Sequence, residues 1–414
     1  MQAQASLGRG DPRILIVTLA GEGGVAALVE RARRFLAARG WRADLAWYEP
    51  YRRTPGLSVP LWALPFRRPK LLSERQADGS VLHRVGVRLP ELEARRYRAG
   101  ATWRQALAGY DFVLAVCGSI LQAGPAADLG LPCLAWVSSP FDADRALRRR
   151  SFAWPRRLLD SLLDAPLCRR EERRLLRDVP VIANSGYTRR ALLAIAPQAR
   201  IEAVVPWPLE PTAAIGAPPP ATSAGAPVLG FAGRLGDPRK NLPLLLDALA
   251  LLREQGLAFS CRLAGQAPTP ALLQAVRARG LEDRVAFLGR LDEAGLARFY
   301  RELDLFVVAS EQEGLSIVAL EAMAAGRPVV STRCGGPQDF VIDGETGLLV
   351  GHEPAGLAAA IRRLAGDPAL RRRLGEEAAR RIGRDYAFAA VAERFWQAME
   401  RQLPAAAKRP AAAR

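Results

Sequence analysis

Glu313 and Glu321 stand eight positions apart in Ala309–Val330, the first beside Gly314 in a small polar loop, the second inside a helix-favouring run. Carboxylates accept hydrogen bonds from sugar hydroxyls, and a loop that opens a helix offers free N–H groups to an anion. Gly314 lets the backbone come close to a ligand. Sugar and phosphate could therefore be held side by side. Upstream, Arg234 and Lys240 lie six positions apart behind Gly233. Two cations so placed can pair with an anion such as a phosphate.

Neither pair is decisive alone, because acids at helical spacing are commonly a solvated face and cations are commonly surface groups. The surrounding elements carry more weight. The apolar run Leu305–Val308, the polar loop, the segment Ser316–Ala325 and the apolar run after Arg327-Pro328 read as strand, loop, helix, strand. Val228 to Asn241 repeats strand, loop, helix, and Cys261–Gly265 and Val285–Arg290 are further strands. Such alternation predicts a doubly wound parallel sheet.

The E-x7-E element is followed by Ser331–Pro337 (STRCGGP) and Asp343–Val350 (DGETGLLV). Together they resemble the donor-site signature of retaining GT-B glycosyltransferases of family 4. The resemblance implies an α/β protein of GT-B architecture, with two Rossmann-like doubly wound domains facing a cleft. It implies transfer of a sugar from a nucleotide-diphosphate sugar, a co-substrate, to a glycan, lipid-linked or small-molecule acceptor with retained anomeric configuration. No obligatory cofactor and no DxD-type metal site are expected. Carried onto this chain, Arg234 and Lys240 hold the diphosphate, Glu313 the donor sugar and Glu321 the ribose, while Gly233 and the Gly314-Leu315-Ser316 backbone complete the donor site. Arg239 reads as a spare surface cation. Cell-envelope or polysaccharide biosynthesis is the expected pathway on the same ground.

The first half opens with the strand run Arg13–Leu19, a glycine turn at 21–24 and a helix from Val25 to Arg39. Gly23 and Gly24 resemble the family's acceptor and phosphate loop. Gly21-x-Gly23-x-x-Ala26 also fits a loose dinucleotide fingerprint with Glu49 as ribose acid, which leaves a nicotinamide reading open. Strands follow at Trp41–Tyr48, Val81–Val87, Asp111–Val116 and Pro132–Val137. Many family members carry a histidine after one of these strands; here the loop reads Val137 to Asp142, and Ser138 or Asp142 is the candidate acceptor-side group. Both also suit turn or cap positions. His83 and His352, the two histidines, read as satisfied or loop residues, which argues against a histidine zinc site or hydrolase triad.

Two segments combine apolar and basic residues. Tyr51–Lys70 suits either a loop clamped on the core or a surface touching anionic lipid, and Arg145–Arg177 suits either acceptor-domain helices packing leucines inward or a membrane-surface patch. The formal charge of +17 suggests affinity for phosphates but selects no partner. No nucleic-acid module appears, so no nucleic acid is expected. Five scattered cysteines read as reduced thiols, and with no leader-like or spanning segment the expected place is cytoplasmic, with peripheral contact at the inner face of an anionic membrane open. The expected domains are residues 1–205 (acceptor side), a Pro/Ala-rich linker 206–227, a donor domain 228–385, a crossover helix 386–403 and a disordered tail 404–414. The competing classes are a nucleotide-sugar epimerase of the same fold and a basic phosphate- or nucleic-acid-binding scaffold without catalysis.

Overall fold

The computed structural model describes residues 12–20, 24–143, 145, 149, 152–209 and 225–404. Gly23, most of the expected linker and nearly all of the expected tail lie outside these residues. The chain divides into two compact units: Met1–Asn184 with Thr188–Val205 and Ala392–Arg414, and Ser185–Tyr187 with Pro206–Val391.

The first unit holds one sheet of eight strands: β1 (Ile14–Leu19), β2 (Ala43–Tyr48), β3 (Leu71–Arg75), β4 (Val81–Val85), β5 (Phe112–Cys117), β6 (Cys133–Val137), β7 (Val181–Ala183) and β8 (Ile201–Val204). Their order is β3-β4-β2-β1-β5-β6-β7-β8, parallel except for the β3–β4 hairpin. β5 and β6 are buried along their whole length, as parallel strands covered on both faces must be, and their residues are correspondingly apolar throughout. Helix Gly24–Ala37 crosses back over the sheet. The last helix, Phe388–Gln402, sets Phe395 against Phe35 and Trp136 at ring-centroid distances of 5.1 and 5.4 Å.

The second unit holds six parallel strands: β9 (Val228–Ala232), β10 (Ser260–Ala264), β11 (Val285–Gly289), β12 (Leu305–Val308), β13 (Val329–Thr332) and β14 (Gly347–Val350). Their order is β11-β10-β9-β12-β13-β14. Leucines 242, 244, 245, 246, 249 and 252 form the buried face of helix Leu242–Glu254, and it packs with helix Pro354–Gly366 over the β9, β10 and β12 side chains in one core. Both units are thus Rossmann-like, doubly wound sheets.

Each of the two mixed apolar and basic segments divides between core and surface. In 145–177, Leu175 and Leu176 are buried, whereas Trp154, Leu158, Leu162 and Leu163 are exposed and Asp160 and Asp164 are fully buried. The 51–70 segment divides, with Leu57, Val59 and Ala63 in the core and Leu61, Trp62 and Phe66 outside. Among the described residues no helix is long and apolar enough to cross a membrane.

Candidate functional site

In the second sheet the winding reverses at β9: β10 and β11 lie to one side of it, and β12, β13 and β14 to the other. The carboxyl ends of β9 and β12 therefore mark a topological switch point, where ligands bind in folds of this class. Lys240 comes from the loop after β9 and Glu313 from the loop after β12. Lys240 Nζ donates to Glu313 Oε1 at 2.7 Å, with the two side chains 15% and 13% exposed. Ser310 Oγ donates to the same oxygen at 2.7 Å.

Local backbone features bring these groups together. Gly233 has φ +151°, and a Cβ there would stand 3.2 Å from Lys240 Cε. A Cβ on Gly265, at the end of β10, would lie 2.1 Å from the Gly233 carbonyl oxygen, so the two glycine turns can nest only without side chains. Asp237 caps the turn Pro238–Lys240 by accepting from the Arg239 N–H at 3.0 Å. Its carboxylate also binds the guanidinium groups of Arg234 and Arg239, each at 2.7 Å. Burial acts to raise the Asp237 carboxyl, but the hydrogen bond and charge of Arg239, aided by Arg234, outweigh it and hold the group below its usual range. Arg239 is therefore no spare cation, and its carbonyl also accepts the Glu311 N–H at 2.7 Å. Arg234 is 60% exposed, so its guanidinium is open to an anion.

The loop carrying Glu313 lies on a glycine bed. The Glu313 N–H donates to the Cys334 carbonyl at 2.7 Å, and its own carbonyl accepts the Gly336 N–H at 2.8 Å. Gly335 has φ +111°, and a Cβ there would sit 2.7 Å from the Glu313 carbonyl oxygen; one on Gly336 would sit 2.5 Å from that of Gly314. Thr332 Oγ1 donates to the Ser310 carbonyl at 2.6 Å, and His352 Nε2 lies 3.3 Å from that same oxygen.

The strained residue of this loop is Ser316, not Gly314. Ser316 takes φ +72° and ψ +77° at the start of helix Ile317–Ala324, which has no side-chain cap. Its Oγ is buried without a hydrogen-bond partner, as is Gln312 Nε2. Strain and unmet polar atoms of this kind concentrate where a ligand completes the structure. Glu321 sits one turn into the helix, and its Oε2 accepts from the Tyr300 hydroxyl at 2.7 Å. Burial, then the Glu321 charge, push the Tyr300 phenol well up, so it stays a donor that orients the carboxylate.

In the first unit the candidates are less convergent. The Ser138 N–H donates to the Cys117 carbonyl at 3.1 Å and its carbonyl accepts from Thr188 Oγ1 at 3.0 Å, so its backbone is fixed. Asp142 forms a two-point ion pair with Arg169, at 2.6 and 3.2 Å. Gly24 opens helix Gly24–Ala37, and Gly23 lies outside the described residues. Glu49, which a nicotinamide site would need, is buried and already accepts from Trp47 Nε1 at 2.7 Å and Thr54 Oγ1 at 3.1 Å. His83 bridges Ser73 and the Tyr110 hydroxyl at 2.8 and 3.0 Å, a satisfied histidine. Among the described residues no group of three or more His, Cys, Asp or Glu is placed to hold a metal ion.

Sequence reasoning missed Ser310, Tyr300, Thr332 and the supporting roles of Gly335 and Gly336. Ser310 could have been flagged as a hydroxyl three residues before Glu313 at a strand end. Tyr300 carries no local signal, because its contact with Glu321 is made across the fold.

Residues 226–367 match the family described as glycosyl transferases group 1. D-inositol 3-phosphate glycosyltransferase of Streptomyces avermitilis is 36% identical over 184 residues, 41% of this chain and 39% of that protein. The Kineococcus radiotolerans protein of the same name is 41% identical over 190 residues, 41% and 43% of the two chains. The matched stretch thus spans about two fifths of the length of these curated relatives. Among solved structures, sucrose-phosphate synthase from Thermosynechococcus elongatus superposes with a TM-score of 0.67 at 23% identity, covering 95% of this chain and 99% of that one. Anabaena HepE in complex with UDP gives 0.66 at 19% identity, covering 94% and 100%. At these identities the likeness is one of fold, and the fold is GT-B.

Proposed function

We propose that this chain is a glycosyltransferase that moves a sugar from a nucleotide-diphosphate sugar to a glycan, lipid-linked or small-molecule acceptor, with retained anomeric configuration. The observation that carries the reading is the Lys240–Glu313 pair at the point where the second sheet reverses its winding, with Ser310 on the same carboxylate and a buried, unpartnered Ser316 hydroxyl later in the same loop. Its support from relatives is the match to glycosyl transferases group 1 over the stretch that contains every one of these residues. HepE was crystallised with UDP and with UDP-glucose, which makes a uridine nucleotide the first donor to try.

On this reading Arg234 and Lys240 meet the diphosphate. As the bond between the anomeric carbon and the phosphate oxygen breaks, negative charge grows on the nucleotide, and a fixed ammonium and guanidinium stabilise that charge more than the ground state. Lys240 is held in place by Glu313 until a phosphate competes for it. Released from Lys240, the Glu313 carboxylate accepts from hydroxyls of the donor sugar. Glu321, steadied by Tyr300, accepts from the ribose. The start of helix Ile317–Ala324 supplies N–H groups and the positive end of its dipole. With cations and dipole in these roles, no metal is required. Peripheral contact with an anionic membrane belongs to the same reading.

Thermal melts with UDP, GDP and ADP test it. A ligand at about a hundredfold its dissociation constant adds about 2.7 kcal/mol to stability. One nucleotide raises the melt, the shift survives a chelator, and Lys240→Ala abolishes it. No shift from any nucleotide overturns the donor site, and a shift lost on chelation overturns the metal-free reading.

A further inference from the structure

The first unit contains an inside-out stretch of helix. Helix Trp154–Leu159 runs through a π turn, Asp160–Asp164, into helix Ala165–Asp178. Along it Trp154 is 77% and Leu162 71% exposed, and Leu158 and Leu163 are exposed as well, while Asp160 and Asp164 have no accessible surface. Two buried carboxylates need cations, and they have them. Arg145, itself buried, pairs with Asp160 and lies 3.7 Å from Asp164; Arg156 reaches Asp164 at 3.0 Å; the Ala94 N–H donates to Asp164 at 3.2 Å. These bonds set the rotation of the helix. With Asp160 and Asp164 turned in, Leu158 and Leu162, also four apart, are turned out.

A second apolar segment meets this one at a single residue. Glu91 accepts the Leu61 N–H on Oε1 at 3.0 Å, and its carbonyl accepts the Arg156 guanidinium. Beyond Leu61, Trp62 is 67% and Phe66 85% exposed, although Leu57, Val59 and Ala63 root the segment in the core. From Tyr51 to Ser73 the chain has the cations Arg52, Arg53, Arg67, Arg68 and Lys70 and no acid; all five are exposed.

We propose that this face, Leu61, Trp62 and Phe66 with Trp154, Leu158 and Leu162, docks on an anionic lipid surface, its aromatic and leucine side chains at the headgroup boundary and its arginines on lipid phosphates. Exposed tryptophan and phenylalanine flanked by arginine is the composition that partitions to that boundary. Charge selects the occupant. A second copy packed about a two-fold axis would bring Arg67, Arg68 and Lys70 against like charges, whereas an anionic leaflet complements them. The proposal names the surface behind the membrane contact of the preceding reading, and vesicle binding needs no donor or turnover, so the two fail separately.

The test is sedimentation of the full chain with vesicles of phosphatidylcholine alone and of phosphatidylcholine mixed with phosphatidylglycerol. The wild type binds the mixed vesicles and far less the neutral ones. Trp154→Ser with Leu162→Ser, and separately Arg67→Gln with Arg68→Gln, each weaken binding on the order of tenfold; all four side chains are exposed, and an unchanged thermal melt confirms folding. Arg380→Gln with Arg384→Gln, exposed cations of the second unit, leaves binding unchanged. Equal loss in that control reduces the effect to diffuse charge and overturns the proposal. So does a wild type that ignores phosphatidylglycerol, or a dimer that Leu162→Ser converts to monomer without vesicle binding.

Discussion

Replacing Lys240 by methionine removes the ammonium and keeps most of the stem, so the consequence falls on Glu313. At 2.7 Å and an effective dielectric of about 20, the gross attraction between the charges is about 6 kcal/mol. Most of it offsets the cost of taking both groups out of water. Truncating one partner of a fully buried pair costs about 3–5 kcal/mol, because the other charge stays behind unpaired. Here both side chains keep roughly a seventh of their surface and Ser310 still donates to Glu313, so about 2–3 kcal/mol is the expected loss. For a domain of this size each kcal/mol moves the melting temperature by about 2–4 °C, which gives a fall of about 4–12 °C. Glu313→Gln keeps an acceptor for Ser310 and costs about 1–2 kcal/mol, since the lysine stem can carry its charge towards solvent. The double variant, Lys240→Met with Glu313→Gln, then costs much less than the sum, with a coupling of about 1–3 kcal/mol. Urea unfolding of the four proteins closes the cycle. Additivity within about 0.5 kcal/mol, or a Lys240→Met protein as stable as its parent, refutes the reasoning.

Two further outcomes are expected. Glu172 is buried and accepts the Phe141 N–H at 2.8 Å; burial pushes its carboxyl up to about 7 from the usual 4.5, against the pull of that hydrogen bond. Below 4.5 both states hold the proton, and between 4.5 and about 7 only the unfolded chain releases it, so stability falls as pH rises and levels off above about 7. Glu172→Gln keeps the acceptor and loses the titration, so relative to wild type it gains roughly 2–4 kcal/mol between pH 5 and 8; a constant difference in urea midpoints across that range refutes the assignment. Gly335→Ala sets a Cβ 2.7 Å from the Glu313 carbonyl oxygen and 2.9 Å from the Tyr187 ring at φ +111°, and should cost about 2–4 kcal/mol while weakening nucleotide binding. Gly236→Ala, whose Cβ meets nothing within 4 Å, should stay within about 0.5 kcal/mol of wild type; equal melts for the two alanine variants would sink the glycine-bed argument.

What the sequence determined by itself is what short-range pattern can encode. Short unbroken apolar runs such as Leu305–Val308, bounded by small polar and glycine residues, read as buried strands, so the strand-loop-helix rhythm and the positions of Lys240 and Glu313 on loops were legible. Edge strand β3 (Leu71–Arg75) was not, because a half-exposed strand of mixed polarity carries no clean alternation. Strand order was not written locally either, and it is order that sets the β9 and β12 loops side by side and joins residues 73 positions apart in one ion pair. The same holds for Ser310, Tyr300 and the glycine bed, whose roles exist only in contact. Helix 154–178 shows the limit most plainly: leucines at helical spacing imply an inward face only if nothing else claims it. Arg145, held among Asp160, Asp164 and Glu93, claims that side, and Leu158 and Leu162 face out because the buried charges have to be paired.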